Sequence, residues 1–191
     1  MLIGRYTSVL DACVLHPAFL RASLLWFAAE RLYRPIWSEQ IFEEWARSLK
    51  RRFDDPAEKL KAQRETMERA FPTAMVQLPD GLIEGLGLPD ENDRHVLAAA
   101  VVGRADAIIT TNLKHFPADV CAGYNLEVIH PDDFLVNVID LHQDRAIAAC
   151  RKHRAVLKAP PYSAAEFVAK FEAAGLIQTH QRLLPLIDLL R

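Results

Sequence analysis

The stretch LPDENDRHVLAAA, residues 88–100, contains the start of a helix around which the fold is organised. Apolar residues follow Asp93 at the spacing of one buried helix face: Val96, Leu97, Ala100 and Val101. A carboxylate at the end of such a face needs a partner, because burial of an unpaired charge is costly. One interpretation is helix capping, with Asp90 as N-cap and Asp93 at N3. The other is a metal site, and the rest of the chain has to distinguish them.

The composition is that of a globular protein. The chain has 191 residues, of which 51% are hydrophobic and 25% are charged, which suits one main domain with a substantial core. A net charge of -2 excludes a simple basic nucleic-acid binder. Three cysteines without a C-x-x-C pair favour a reducing compartment over a disulfide framework or a thiolate zinc site. No apolar run is long enough to span a membrane and the N-terminus lacks a signal-peptide pattern, so we expect a cytoplasmic protein.

Two short apolar runs that end in polar residues predict strands of a parallel sheet. The first leads to Asp11, and the second leads to Thr110, Thr111 and Asn112. Alternation of strands and helices predicts an α/β fold in which helices flank a central parallel sheet. Functional residues of such sheets lie at the carboxyl ends of the strands, where Asp11, Asp93 and Asn112 would meet. Alternatively, Asp11 is only a turn residue or a cap.

A second carboxylate reaches this edge from a predicted helix over residues 39–53, which follows Ser38 as N-cap. Glu44 borders the buried stripe of that helix, and the simpler interpretation is that it is an exposed face residue. Arg51 and Arg52 near the helix end favour the negative end of the helix dipole, and they could equally meet phosphates.

Clustered carboxylates without Lys or Arg among them repel one another unless they keep protons or hold a divalent cation. Oxygen ligands without cysteine or a histidine pair favour Mg²⁺ or Mn²⁺ over zinc. We expect the nearest histidine, His115, to contact the metal ligands at most, without binding the metal itself. A hard cation at such a site suits phosphodiester hydrolysis, because it lowers the pKa of bound water and stabilises charge on phosphate oxygens.

Four segments occur in a familiar order: VLDACVL (9–15), SEQIFEEW (38–45), PDENDRHVLAAA (89–100) and ADAIITTNLKHFP (105–117). They resemble the PIN-domain ribonucleases, in particular the VapC-type toxins of bacterial toxin–antitoxin pairs, over roughly residues 5–140. The resemblance implies a PIN-like fold with Asp11, Glu44 and Asp93 as catalytic acids. It also implies that Asp11, Asp93 and the auxiliary Asp90 hold the metal. The family's fourth acid falls on Asn112, which removes a charge and favours one firm metal site over two.

The same resemblance implies a metal-dependent endoribonuclease acting on single-stranded RNA, a homodimer and inhibition by a cognate antitoxin protein. Water, not a side chain, would attack the phosphorus. Thr110 or Thr111 would orient that water or an outer-shell ligand, together with Asn112. We assign a weak RNA-binding role to three arginines: Arg51, Arg52 and Arg94.

The C-terminal part differs in character and predicts a separate helical extension, which some VapC-like proteins also carry. We therefore expect a PIN-like nuclease domain over residues 1–141 and an extension over residues 142–191. A Gly-rich Rossmann loop is missing, and an aspartyl-nucleophile phosphatase would need an acid where Cys13 stands. The serious alternative is a PIN-like module that binds RNA or a protein partner without cleavage, in which the acids only cap and brace the fold.

Overall fold

The structure is a computed structural model that describes residues 6–53 and 57–191, without the side chains of residues 51–53 and 57. A five-stranded sheet forms its centre in the order β3-β2-β1-β4-β5, and its strand pairings are parallel. The strands are β1 (Thr7–Leu10), β2 (Arg34–Ser38), β3 (Met75–Val76), β4 (Ala107–Ile109) and β5 (Glu127–Ile129). β1 is buried along its whole length, as expected for the middle strand of a covered sheet.

Helices separate the strands and continue after the last one. They are α1 (Ala12–Leu15), α2 (Ala18–Ala29), α3 (Glu39–Phe53), α4 (Ala57–Ala70), α5 (Arg94–Gly103), α6 (Ala118–Ala122), α7 (Pro131–Leu141), α8 (Gln143–Val156), α9 (Ala164–Ala173) and α10 (Ile177–Leu183). The predicted α/β architecture, a parallel sheet flanked by helices and followed by C-terminal helices, is confirmed.

The strand order opens a crevice at the carboxyl ends of β1 and β4. From β1 the chain adds β2 and β3 on one side of the sheet, and later β4 and β5 on the other side. Such a reversal leaves room beyond the strand ends, where open α/β sheets bind ligands. Leu10 pairs with Ile109 in register, and the Asp11 N–H donates to the Ile109 carbonyl at 3.2 Å. Asp11 and Thr110 therefore emerge side by side.

Two helices bring further side chains to this edge. α3 begins after Ser38, whose hydroxyl accepts a hydrogen bond from the Ile41 N–H at 3.4 Å, and it buries Trp45 completely on its inner face. α5 packs against β1, β2 and β4, and its residues from Val96 to Ala100 are fully buried. Glu44 on α3 and the acids before α5 are thereby held on rigid elements.

α7 joins the sheet to the C-terminal helices. On the sheet side, the ring of Phe134 meets that of Tyr33 edge to face at 4.9 Å. On the other side, the buried carboxylate of Asp132 accepts hydrogen bonds from the N–H groups of Gln178 (2.9 Å) and Thr179 (2.8 Å) at the start of α10. A buried carboxylate thus satisfies the free donors of one helix N-terminus.

Local features mark the ends of two further helices. α2 ends at Ala29, shortly before Arg31, which adopts a left-handed conformation with φ of 59°. A capping box formed by Ser163 and Glu166 starts α9. Among the described helices, none has both the length and the apolar composition to cross a membrane.

Candidate metal centre

Asp11 is fixed through one of its two carboxylate oxygens. The hydroxyl of Thr110 donates to Oδ2 at 2.6 Å, and the thiol of Cys13 donates to the same oxygen at 3.0 Å. Burial, followed by the charge of Asp11, raises the pKa of Cys13 to about 12, so this thiol keeps its proton and remains a donor. Within the described part of the chain, Oδ1 receives no hydrogen bond and stays available to a ligand.

Asp93 lies next to Asp90 and His115. Its carboxylate Oδ2 is 2.7 Å from Nδ1 of His115, and the same nitrogen is 3.9 Å from Oδ2 of Asp90. Burial and the charge of Asp11 hold the pKa of Asp93 above its usual value, although the hydrogen bond from His115 acts in the opposite direction. Asp11 is therefore close enough to influence Asp93 electrostatically.

The capping interpretation holds for Asp90 and is wrong for Asp93. Asp90 accepts the N–H of Asn92 at 2.9 Å at the start of a single 3₁₀ turn, and this bond lowers the pKa of its carboxyl. The side chain of Asp93 makes no cap hydrogen bond, since it turns towards His115. A sequence pattern typical of caps thus contains one cap, Asp90, and one carboxylate, Asp93, that binds His115 instead.

Glu44 on α3 contacts α5 through the imidazole of His95. Nε2 of His95 is 3.2 Å from Oε2 of Glu44, and its Nδ1 lies 2.7 Å from the carbonyl oxygen of Asn92. Burial lowers the pKa of His95, but the hydrogen bond with Glu44 and the charge of that carboxylate, aided by the Asn92 carbonyl and the charge of Asp11, raise it above the ordinary value. The imidazole thus ties α3 to the turn that carries Asp93.

A polar cavity of about 480 Å³ lies over this edge of the sheet, within the size range of small-ligand sites. Thr111 and Asn112 face it; the Asn112 N–H donates to the Thr110 hydroxyl at 3.0 Å, and the Thr111 N–H donates to the Cys13 thiol at 3.3 Å. Its lining residues are Ala12, Cys13, His16, Pro17, Glu44, Ser48, Thr111 and Asn112. Glu44 and the loop after β4 therefore share one cavity.

Of the three arginines proposed to contact RNA, one is paired with an acid and two have side chains that the structure does not describe. Arg94 is engaged with Glu91 at 3.0 Å. The side chains of Arg51 and Arg52 lie outside the described part of the structure. An RNA-binding role for these three residues stays a prediction.

The donor set fits a divalent cation. One ligand atom from each of Asp90, Asp93 and His115 lies within 4.8 Å of the others, and protein ligands stand about 2.0–2.6 Å from hard divalent ions. Asp11, buried beside this cluster, contributes a further negative charge. In the described part of the chain, no Lys or Arg pairs with either Asp11 or Asp93. The sequence placed His115 at most behind the ligands, and its only signal was its position soon after the polar end of β4; in the structure its Nδ1 lies among these ligand atoms.

Two family models match the chain. The one described as PIN domain matches residues 7–114, and the one described as VapC50 C-terminal domain matches residues 131–185. The first match spans β1 to the turn that carries His115, and so it contains the whole candidate centre except for His115 itself. The second match begins at the first residue of α7.

One curated relative is similar over a shorter region. It is "Putative ribonuclease VapC50" of Mycobacterium tuberculosis (strain ATCC 25618 / H37Rv), which is 58% identical over 52 residues. These residues make up 27% of this chain and 31% of the relative, so the match spans about a third of the relative's length. No solved structure matches the chain significantly.

Proposed function

The chain belongs to the PIN-domain family, and from this premise we propose that it is a divalent-metal-dependent endoribonuclease that hydrolyses phosphodiester bonds in single-stranded RNA. The relative of similar sequence carries ribonuclease in its name, which supports this class of activity. Fold alone does not establish function, so the proposal depends on the site.

One observation carries the proposal: two carboxylates, Asp11 and Asp93, are buried close enough together for the charge of Asp11 to raise the pKa of Asp93. Their relative exposures are 2% and 7%. Two buried like charges are unfavourable next to each other, and a cation between them removes both the repulsion and the cost of burial. Among the described residues, His115 is the partner that contacts the carboxylate of Asp93, and it makes no hydrogen bond to Asp11.

In this proposal Asp11, Asp90 and Asp93 hold Mg²⁺ or Mn²⁺. When bound, such an ion lowers the pKa of a water molecule and stabilises negative charge on the phosphate oxygens. Thr110 keeps Asp11 oriented, because its hydroxyl donates to Oδ2 of that carboxylate. Outer hydrogen bonds of this kind commonly govern how well a carboxylate binds metal.

Glu44 lines the cavity over the ends of β1 and β4 and completes the proposed catalytic group. Its carboxylate accepts a proton from the attacking water, whose oxygen bonds to phosphorus while the bond to the leaving ribose oxygen breaks, and that oxygen takes up a proton from solvent. Thr111 and Asn112 line the same cavity and can orient the water or the phosphate. Arg51, Arg52 and Arg94 are proposed as weak contacts to the RNA backbone.

Membership of the family, together with the relative's name, supports a biological role as the toxin of a toxin–antitoxin pair. We propose a cognate antitoxin protein and a homodimer as the assembly, in the cytoplasm. The division into a nuclease domain (1–141) and an extension (142–191) is also a proposal. Its boundary falls at the end of α7, the helix that contacts both the sheet and the C-terminal helices.

The test is cleavage of a fluorescent single-stranded RNA by chelator-treated protein to which Mn²⁺ or Mg²⁺ is returned. We expect cleavage by the parent only with metal, and a loss of about 100-fold or more in Asp11→Asn and Asp93→Asn. Asp144→Asn, an exposed acid of α8, is the matched control and should cleave like the parent. Circular dichroism establishes that each variant is folded.

Two outcomes would contradict the proposal. Cleavage that persists in folded Asp11→Asn and Asp93→Asn would place the chemistry elsewhere. Binding of RNA without cleavage, at any metal concentration, would favour the alternative in which this PIN domain is a catalytically inactive RNA-binding or partner-binding module.

A further inference from the structure

We propose that His115 is a direct nitrogen ligand of the cation, and that it makes this centre prefer Mn²⁺ over Mg²⁺. The inference rests on the metal-dependent function proposed above and adds to it the choice of ion. The sequence led us to expect that all the ligand atoms are oxygen and that His115 does not bind the metal; this inference replaces that expectation.

The geometry places one imidazole nitrogen among the carboxylates. Nδ1 of His115 is 2.7 Å from Asp93 Oδ2 and 3.9 Å from Asp90 Oδ2, so the same atom faces both acids. One ion can contact all three groups, because their ligand atoms lie within 4.8 Å of one another. Such an ion would take the place of the Nδ1 proton that bonds to Asp93, and that proton would pass to solvent.

The position of His115 is fixed by the polar end of β4. It closes the single 3₁₀ turn Leu113–His115, and its N–H donates to the Asn112 carbonyl at 2.9 Å. The Asn112 N–H in turn donates to the Thr110 hydroxyl, which is bound to Asp11. The next residue, Phe116, is buried in the core. The imidazole therefore belongs to the same connected framework as Asp11 and needs little ordering to bind an ion.

Mg²⁺ and Mn²⁺ differ in the ligand atoms that they prefer. Mg²⁺ prefers six oxygen ligands at about 2.0–2.1 Å and gives up its water reluctantly. Mn²⁺ shares the preference for carboxylates, but as a first-row transition metal it also accepts imidazole nitrogen. Exchanging one oxygen ligand for the nitrogen of His115 costs Mg²⁺ more than Mn²⁺.

A different role for His115 has to be distinguished from ligation. The imidazole could act only through Asp93, by holding that carboxylate in place for the ion. In that case removal of His115 would weaken the binding of both ions equally, and no nitrogen would contact the metal. Affinity for a single ion cannot separate the two roles, whereas the ratio of affinities and a spectroscopic signal can.

The experiment is calorimetric titration of Mn²⁺ and of Mg²⁺ into the chelator-treated full-length chain, together with pulsed electron paramagnetic resonance of the bound Mn²⁺. The parent should bind Mn²⁺ at least about tenfold more tightly than Mg²⁺, with a directly coordinated nitrogen in the spectrum. His115→Asp restores an all-carboxylate site, so the ratio should fall about tenfold and the nitrogen signal should vanish. His115→Gln removes the imidazole without adding charge and serves if His115→Asp does not fold.

His142→Asn is the matched control, since His142 is the C-cap residue that follows α7 and takes no part in the cluster. It should retain both the ratio and the nitrogen signal. Mn²⁺ binding without a nitrogen signal, or a ratio that His115→Asp leaves unchanged, would overturn this inference while the proposed nuclease function stands. Failure of the parent to bind either ion would overturn both.

Discussion

His153 of α8 is a buried imidazole whose protonation is expected to oppose folding. It is 2% exposed, and its ring lies between those of Phe19 at 4.9 Å and Phe167 at 5.2 Å. Its described polar neighbour is the hydroxyl of Ser23, 3.3 Å from Nδ1. Burial in these surroundings lowers the pKa of His153 to about 4.

The magnitude follows from the difference between the folded and unfolded pKa values. An unfolded histidine has a pKa of about 6.5. Above that pH both states are neutral and the imidazole does not affect stability. Below it the unfolded chain takes up the proton first, so the free energy of unfolding falls as the pH falls from about 6.5 to about 4. At about 1.4 kcal/mol per pKa unit the full loss is about 3 kcal/mol, and most of it is present at pH ~4.5.

The assay is urea unfolding of the full-length parent and of His153→Leu at pH ~7.5 and ~4.5. Leucine has a similar volume, and Ser23 still donates to the Phe19 carbonyl at 2.9 Å, so the substitution leaves no hydroxyl unpaired. The variant should lose about 2–3 kcal/mol less than the parent between the two pH values. Carboxylates that titrate in the same range are present in both proteins and cancel in the comparison.

An equal loss of stability in the parent and in His153→Leu would refute this reasoning. It would mean that the imidazole accepts its proton inside the fold without cost, against the apolar surroundings seen here.

Three further predictions concern the centre and the attachment of the C-terminal helices. Thr110→Val removes the donor to Asp11 and should weaken Mn²⁺ binding about 10–100-fold by calorimetry. His95→Gln removes the ion pair with Glu44 and should slow RNA cleavage about tenfold in kinetic assays, with Mn²⁺ affinity unchanged. Asp132→Ala leaves two N–H groups at the start of α10 unpaired and should lower the free energy of unfolding by about 3 kcal/mol in urea.

Control variants accompany two of these three predictions. Thr110→Ser retains the hydroxyl and should bind Mn²⁺ like the parent. Asp133→Ala, at the exposed neighbour of Asp132, should cost less than about 1 kcal/mol. Unaltered Mn²⁺ binding in Thr110→Val, unaltered cleavage in His95→Gln, or equal stability losses in the two aspartate variants would each show that the contact in question has no such role.

Local sequence patterns predicted most of the elements near the site. The predicted bounds of α3 and the predicted end of β4 agree with the structure, in which α3 spans Glu39–Phe53 and β4 spans Ala107–Ile109. An N-cap marks the start of the helix, and polar residues mark the end of the strand. The placement of Asp11 after β1 followed in the same way from the end of an apolar run.

Contacts between distant segments could not be predicted in this way. Asp93 has the spacing of a cap, yet its partner His115 is 22 residues further along the chain. That contact depends on how the turn after β4 packs against the loop before α5. The spacing of apolar residues along the sequence gives no information about this packing. The ion pair between Glu44 and His95 likewise requires α3 and α5 to be placed side by side.

The strand order also has a consequence for biosynthesis. The residues of the proposed centre come from three separate segments, with Asp11 made early, Asp93 much later and His115 last. The crevice between β1 and β4 forms only after β4 has been translated and has inserted next to β1. A nascent chain that ends just before residue 115 carries Asp11, Glu44 and Asp93 without His115. For the nuclease proposed above, this order of synthesis would delay metal-dependent cleavage until the residues of the centre have left the ribosome.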